Sequence, residues 1–111
     1  LLLKKVPDPE RYGVAIIENG KLKSAIEKPK ERISDLCITG IYMYDKTVFE
    51  RIENLVPSSR GEYEITELNH QYIKEGLAGY DTLSGWWTDA GTFSSYQKAN
   101  ILMSSKDEID Q

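Results

Sequence analysis

The chain has 111 residues, a formal net charge of −4 and 40% apolar content, enough for one hydrophobic core and for one domain or part of one. The acidic balance offers no basic surface, so nucleic acid is not an expected partner. Cys37 is the sole cysteine and His70 the sole histidine, which excludes an internal disulfide, a multi-thiolate zinc site and a His-rich cluster and fits a cytoplasmic setting.

Leu1-Leu2-Leu3 is too short for a signal peptide, and no apolar run approaches the ~20 residues of a membrane helix. A start without Met that goes straight into an apolar run reads as an entry into the middle of a fold. Leu1 to Val6 is a predicted strand, closed by Pro7 and Pro9. Tyr12-Gly13-Val14 leads into a second strand, Ala15-Ile16-Ile17. Asn19-Gly20 predicts a type I′ hairpin, because both central residues need positive φ. The return strand is Lys21 to Lys28, with Leu22, Ser24, Ile26 and Lys28 on one face and Lys23, Ala25 and Glu27 on the other. Pro29 ends it, having no ladder N–H, and a polar loop follows to Leu36.

Cys37 to Tyr44 carries apolar groups on both faces and is expected as a covered, central strand. Gly40 in its middle points to a close approach to the backbone. Asp45 can cap a helix over Lys46–Asn54 with Val48, Phe49, Ile52 and Leu55 on one face. A second helix is predicted over Glu64–Glu75, with Ile65, Leu68, Tyr72 and Ile73 inward and Gly76 as its stop. Leu77 to Leu83 is a weak fourth strand. Thr92 can cap a last helix from Phe93 to about Ser104, with Phe93, Tyr96, Ala99, Asn100 and Met103 along one side, and 107–111 is a polar tail. The order β, β-hairpin, β, α, α, β, α predicts an α/β domain with a mixed sheet and flanking helices.

Several polar groups stand beside turns or strand ends. Asp89, in Trp86-Trp87-Thr88-Asp89-Ala90-Gly91-Thr92, sits ahead of a helix, where a carboxylate can hold a metal or bond only its own turn. Glu27-Lys28-Pro29 ends a strand: Lys28 suits a phosphate and Glu27 sugar hydroxyls, or both are ordinary surface charges. Arg60 precedes Gly61 in a loop and can grip a phosphate through two N–H bonds, or be merely solvated. Gly13 and Gly40 each mark a place where a ligand or a tight turn needs the backbone bare. Trp86 and Trp87 can stack on a sugar ring or pack in the core. His70 is expected exposed or edge-packed, and Cys37 as a small core residue.

Five segments recur together: Tyr12-Gly13-Val14, Glu27-Lys28-Pro29, Thr39-Gly40-Ile41-Tyr42-Met43-Tyr44-Asp45, Arg60-Gly61-Glu62-Tyr63-Glu64-Ile65-Thr66-Glu67 and Trp87-Thr88-Asp89-Ala90-Gly91-Thr92. In this order they resemble the second half of the bacterial glucose-1-phosphate thymidylyltransferases, a sugar-phosphate nucleotidyltransferase family. The Gly85–Thr92 form looks closest to members tied to spore-coat or cell-surface polysaccharide synthesis. The resemblance implies a nucleotide-diphospho-sugar transferase (Rossmann-like) fold. It also implies a reaction that joins a nucleoside triphosphate to a sugar 1-phosphate and releases pyrophosphate. By the same resemblance, Lys28 and Arg60 hold the sugar phosphate. Glu27 and the backbone at Gly13 and Ile38 take sugar hydroxyls, with Tyr12, Tyr42 and Trp87 nearby. Asp89 is one of two carboxylates on Mg²⁺. The sugar implied is glucose, the nucleotide dTTP with UTP as the alternative. Ala90 stands where the family has Thr, and Glu67 where it has Asp.

The family's first half, with the Gly-rich nucleotide loop, the base pocket and the partner Asp, has no counterpart here. The chain is therefore expected to be the sugar-phosphate half, inactive alone, and self-associating through open sheet edges. The alternatives are a non-catalytic module binding a sugar phosphate or a protein, and a structural fragment without a ligand.

Overall fold

The computed structural model describes residues 1–110. It forms β1 (Leu2–Lys5), β2 (Gly13–Glu18), β3 (Lys21–Glu27), β4 (Leu36–Ile38), α1 (Val48–Glu53), α2 (Ile65–Lys74), β5 (Asp81–Thr82) and α3 (Phe93–Asp110). The strands make one mixed sheet in the order β3-β2-β4-β1-β5. β1 and β5 are parallel, and the other pairs antiparallel. Asn19 and Gly20 take φ of 53° and 74°, as a type I′ turn requires, and fold β2 onto β3.

The register pairs Leu3 with Ile38 and Val14 with Cys37. Alternation therefore sends Leu3, Ile38 and Ala15 to one face and Val14 and Cys37 to the other. On the first face Leu3, Ala15, Leu22, Ala25 and Ile38 close on Ile73 of α2. Leu3 is wholly buried and contributes about 1.5–3 kcal/mol by transfer from water. On the second face a 3₁₀ turn, Pro9–Arg11, packs on β2 and buries Pro9, while Val14 and Cys37 are fully shielded.

The structure corrects the expected faces of β3. A bulge pairs Ile16 with Ser24 but Ile17 with Leu22, leaving Lys23 as the extra residue. That slip puts Leu22 on the same face as Ala25, with Ser24 and Ile26 opposite. The predicted Cys37–Tyr44 strand is central, as expected, but ends at Ile38. Gly40, at φ 87°, turns the chain out of the ladder. No atom lies within 4 Å of the place a Cβ would take there, so the bend and not a close neighbour calls for glycine. The segment beyond crosses to α2: Tyr44 packs on Tyr72 with ring centroids 5.5 Å apart and donates its hydroxyl to Asn69 Oδ1.

Identifiable bonds set the start of α1, the end of α2 and the start of α3. Asp45 Oδ1 accepts the Thr47 N–H at 3.0 Å, so Asp45 forms the turn leading into α1, whose first flanking residue is Thr47. The predicted inward face of α1 is not buried: Phe49 is 72% exposed and Ile52 48%. Instead, Arg51 fastens α1, its guanidinium 4.2 Å from the Tyr72 ring centroid and paired with Glu75. α2 ends as predicted. Leu77 N–H donates to Tyr72 O at 2.9 Å and Gly76 N–H to Ile73 O at 3.0 Å, the two bonds of a Schellman motif. At the head of α3, Thr92 and Ser95 exchange bonds of 3.0 Å between each backbone N–H and the other's hydroxyl, a capping box with Ser as the reciprocal partner. The expected apolar side of α3 is open, with Phe93 97% exposed. The helix also continues through Asp110 where a tail was expected from Asp107; Gln111 lies outside the described residues. No helix among the described residues is long and apolar enough to cross a membrane.

Candidate functional site

The predicted site residues gather at the end of the β2–β3 ladder opposite the hairpin turn. Gly13 pairs with Glu27. One residue on, the Lys28 N–H donates to Tyr12 O at 3.1 Å, an added rung beyond the strand. To make it, Lys28 takes φ 42°, a left-handed conformation costing a non-glycine residue about 1–2 kcal/mol. Pro29 disfavours the right-handed helical region for Lys28. Strain of this kind persists where the surroundings fix the backbone.

Glu27, Lys28 and Arg60 line one cleft of about 650 Å³ with Ser59, Glu64 and His70. It lies between the end of β3, the loop before α2 and the first turns of α2. Thr66 Oγ1 donates to Glu27 Oε2 at 2.7 Å. That carboxylate lies over Gly13, where a Cβ would sit 3.0 Å from Glu27 Oε2. The bare backbone at Gly13 thus makes room for Glu27. Arg60 donates through Nε and Nη2 to the same oxygen of Glu64, at 3.2 and 2.6 Å, and Ser58 Oγ donates to it at 3.2 Å. The hydrogen bond from Arg60 holds the Glu64 carboxyl below its ordinary value against the penalty of burial, with help from Ser58. Lys28 forms no ion pair among the described residues.

A second cleft of about 480 Å³ holds Tyr12, Trp87 and Asp89 with Arg11, Ser95 and Lys98. Trp87 meets the Tyr12 ring edge-on, with centroids 5.4 Å apart. Tyr12 donates its hydroxyl to Asp89 Oδ1 at 3.0 Å. Asp89 Oδ2 accepts the Gly91 N–H at 3.1 Å and the Ser95 hydroxyl at 3.3 Å. Burial acts to raise the Asp89 carboxyl, but these donors and Arg11 overcome it and hold it below its ordinary value. Burial, then the bond to Asp89, push the Tyr12 phenol up to about 12.

The profile of the nucleotidyl transferase family matches residues 1–106. The chain belongs to that family. Among its relatives, the glucose-1-phosphate thymidylyltransferase of Neisseria meningitidis is 41% identical over 108 residues, spanning 95% of this chain and 38% of that protein. A low-salt glycan biosynthesis nucleotidyltransferase of Haloferax volcanii is 35% identical over 105 residues, spanning 93% and 29%. The chain thus spans about a third of the length of these relatives. A Bacillus anthracis protein assigned as a glucose-1-phosphate thymidylyltransferase, crystallised with sucrose, superposes with a TM-score of 0.84 at 55% identity, over 91% of this chain and 41% of that one. A UDP-glucose pyrophosphorylase complexed with UDP-glucose, at 24% identity and TM-score 0.79 over 95% of this chain and 43% of that one, shares the fold.

In this nucleotidyl transferase chain Glu27, Lys28 and Arg60 line the first cleft and Tyr12, Trp87 and Asp89 the second, joined by the Tyr12–Lys28 rung. Ile38 and Tyr42 lie on the core face of the sheet. Ile38 Cδ1 is 3.7 Å from the Cβ position at Gly13, and Tyr42 stacks on Tyr44 at 5.8 Å. Three residues of the clefts were not singled out from the sequence: Thr66 and Glu64 hold Glu27 and Arg60, and Ser95 supports Asp89. His70, expected exposed or edge-packed, is partly buried at the larger cleft. For Thr66 a signal existed. With Asn69 and Ile73 it repeats at i, i+3 and i+7, so the buried stripe of α2 is turned from the one traced through Ile65, Leu68, Tyr72 and Ile73: Thr66 and Asn69 are buried, while Ile65 is 43% exposed.

Proposed function

We propose that this chain forms the sugar-phosphate side of a nucleotidyltransferase that makes a nucleoside diphosphate sugar, dTDP-glucose being the product favoured by its relatives, from glucose 1-phosphate and dTTP. The observation that carries the reading is the convergence of Lys28, Arg60 and Glu27, from two distant segments, on one cleft. Two cations can neutralise a phosphate while a carboxylate accepts from sugar hydroxyls. Glu27 is already oriented by Thr66, and Lys28 by its added rung.

The sugar phosphate oxygen then attacks the α-phosphate of the triphosphate in line, expelling pyrophosphate. No covalent bond to the protein is required, so positioning and charge neutralisation do the catalysis. Lys28 and Arg60 fix the nucleophilic phosphate, while Glu27 and the backbone at Gly13 and Ile38 fix the sugar. Tyr12 and Trp87 stand in the adjoining cleft, next to Asp89, and Tyr42 packs beneath on the core face.

Among the described residues no group of three or more His, Cys, Asp or Glu side chains stands ready for a metal. The donor set still fits Mg²⁺, which takes one or two carboxylates and completes its shell with phosphate oxygens and water. A carboxylate has about four lone-pair positions. Asp89 uses one on Oδ1 and two on Oδ2, leaving Oδ1 able to bind a single ion. Bound there, Mg²⁺ would neutralise charge on the phosphates.

On this reading the chain is inactive by itself, because the resemblance assigns the partner carboxylate and the nucleotide loop to a first half whose motifs are not among those matched here. The exposed Phe49, Ile52 and Phe93 support this, as apolar surface that further chain would cover. β3 is an edge strand of seven residues open to pairing, so the isolated chain self-associates. A monomer by light scattering at high concentration would count against that. The central test is an NMR titration of the labelled chain with glucose 1-phosphate and then dTTP, both with Mg²⁺. Shifts at Lys28, Arg60 and Glu27 with the sugar phosphate alone support the assignment; none there refutes it. Pyrophosphate release by the chain alone would refute the half-enzyme reading.

A further inference from the structure

We propose that Glu64 is a positioning residue of the anion site, acting by holding Arg60 with one edge of its guanidinium turned toward the larger cleft. The inference rests on the sugar-phosphate reading above. Arg60 has five N–H donors in a flat fork. Glu64 Oε1 takes Nε and one hydrogen of Nη2, the side edge of that fork. The end edge, with Nη1 and the second Nη2 hydrogen, makes no hydrogen bond among the described residues, and Arg60 lines the cleft beside Lys28. Two parallel N–H donors on one edge match a phosphate.

The carboxylate is itself fixed. Glu64 is the residue that opens α2, and its side chain is 18% exposed against 58% for Arg60. Ser58 donates its hydroxyl to the same oxygen. Ser58 also anchors the loop that carries Arg60, accepting the Gly61 N–H at 2.8 Å and donating its N–H to Glu62 O at 2.7 Å. Loop and helix thus meet at one oxygen atom. Glu62 differs: it is 65% exposed and stands 3.5 Å from Arg60 Nη2 without a hydrogen bond, so an incoming phosphate can displace it. An opposite role for Glu64 is conceivable on the same contacts, as a carboxylate that competes with phosphate for Arg60. The two roles differ in the sign of their effect.

Glu64→Asp decides between them. Asp is a favoured helix-opening residue, so the fold is kept, and the charge is kept, but the carboxylate is one methylene short. Positioning requires glucose 1-phosphate, titrated into the full chain by calorimetry, to bind Glu64→Asp about tenfold more weakly, the scale of one charge-assisted hydrogen bond. Glu64→Gln, which keeps an acceptor at full reach, restores most of the affinity. In an Arg60→Leu background, with residual binding through Lys28, the Glu64→Asp effect disappears because it acts through Arg60. Wild-type affinity in Glu64→Asp, tighter binding in Glu64→Gln, or an effect that survives Arg60→Leu overturns the inference alone. A wild-type chain that fails to bind, or that binds equally with Arg60→Leu, overturns the sugar-phosphate reading and the inference with it.

Discussion

Gly13→Ala separates the stability of this chain from the order of its site. The new methyl would sit 3.0 Å from Glu27 Oε2 but 3.7 Å from both Ile38 Cδ1 and Thr66 Oγ1. Only the first contact is too close, and it falls on the free end of a flexible side chain. The backbone can stay, while Glu27 swings off its bond to Thr66. A hydrogen bond to a charged group is worth about 1.5–3 kcal/mol when buried, and Glu27 is exposed, so about 1 kcal/mol is the appropriate cost here. Gly13 is extended, and Ala returns about 0.4–1 kcal/mol by restricting the unfolded chain. The net change in stability should therefore stay within about 1 kcal/mol by urea unfolding. Glucose 1-phosphate affinity, in contrast, should fall about tenfold, because the carboxylate that takes the sugar hydroxyls has moved. Unchanged affinity would refute the role of Glu27. A stability loss above about 2 kcal/mol would show that the methyl had displaced backbone, against the packing described.

Three further outcomes are expected. Burial raises the Cys37 thiol from 9.0 to about 11, so its contribution to stability is complete below pH 9 and is lost as pH rises toward 11. Native chain should accordingly resist an aromatic disulfide reagent at neutral pH and react only as fast as it opens. Burial likewise raises the Tyr44 phenol from 10.0 to about 12, alongside Tyr12; Tyr44→Phe should shrink the latest part of the tyrosine absorbance change in an alkaline titration, leaving the Tyr12 share. Gly76→Ala, at the end of α2 with φ 72°, should cost about 1 kcal/mol in urea unfolding.

Local signals of composition and turn chemistry made much of this fold legible. Asn19-Gly20 gave the hairpin, Gly76 the end of α2, and Thr92 the start of α3. Faces and strand lengths were harder, because they depend on partners remote in sequence. Nothing near Lys23 announces a bulge, which is defined only by the slip against β2. The Cys37–Tyr44 alternation suits a strand, but Tyr44 and Asp45 spend their hydrogen bonds on α2. The α1 stripe has helical spacing without a surface to bury it. In the site, Lys28, Arg60, Glu27 and Asp89 could be named from residue type and turn position. Their division into two clefts could not, nor could the supports from Thr66, Glu64 and Ser95, which follow from the docking of helix against sheet.

The rung between Tyr12 and Lys28 also governs where this chain can tolerate a change of length. Both clefts take their side chains from residues at that end of the hairpin, so deleting a residue between 12 and 14 or between 26 and 28 would misplace groups of both at once. The turn at Asn19-Gly20 closes the opposite end of the same two strands. There an inserted residue or a reporter label lengthens only an exposed tip, and the spacing of the clefts is preserved.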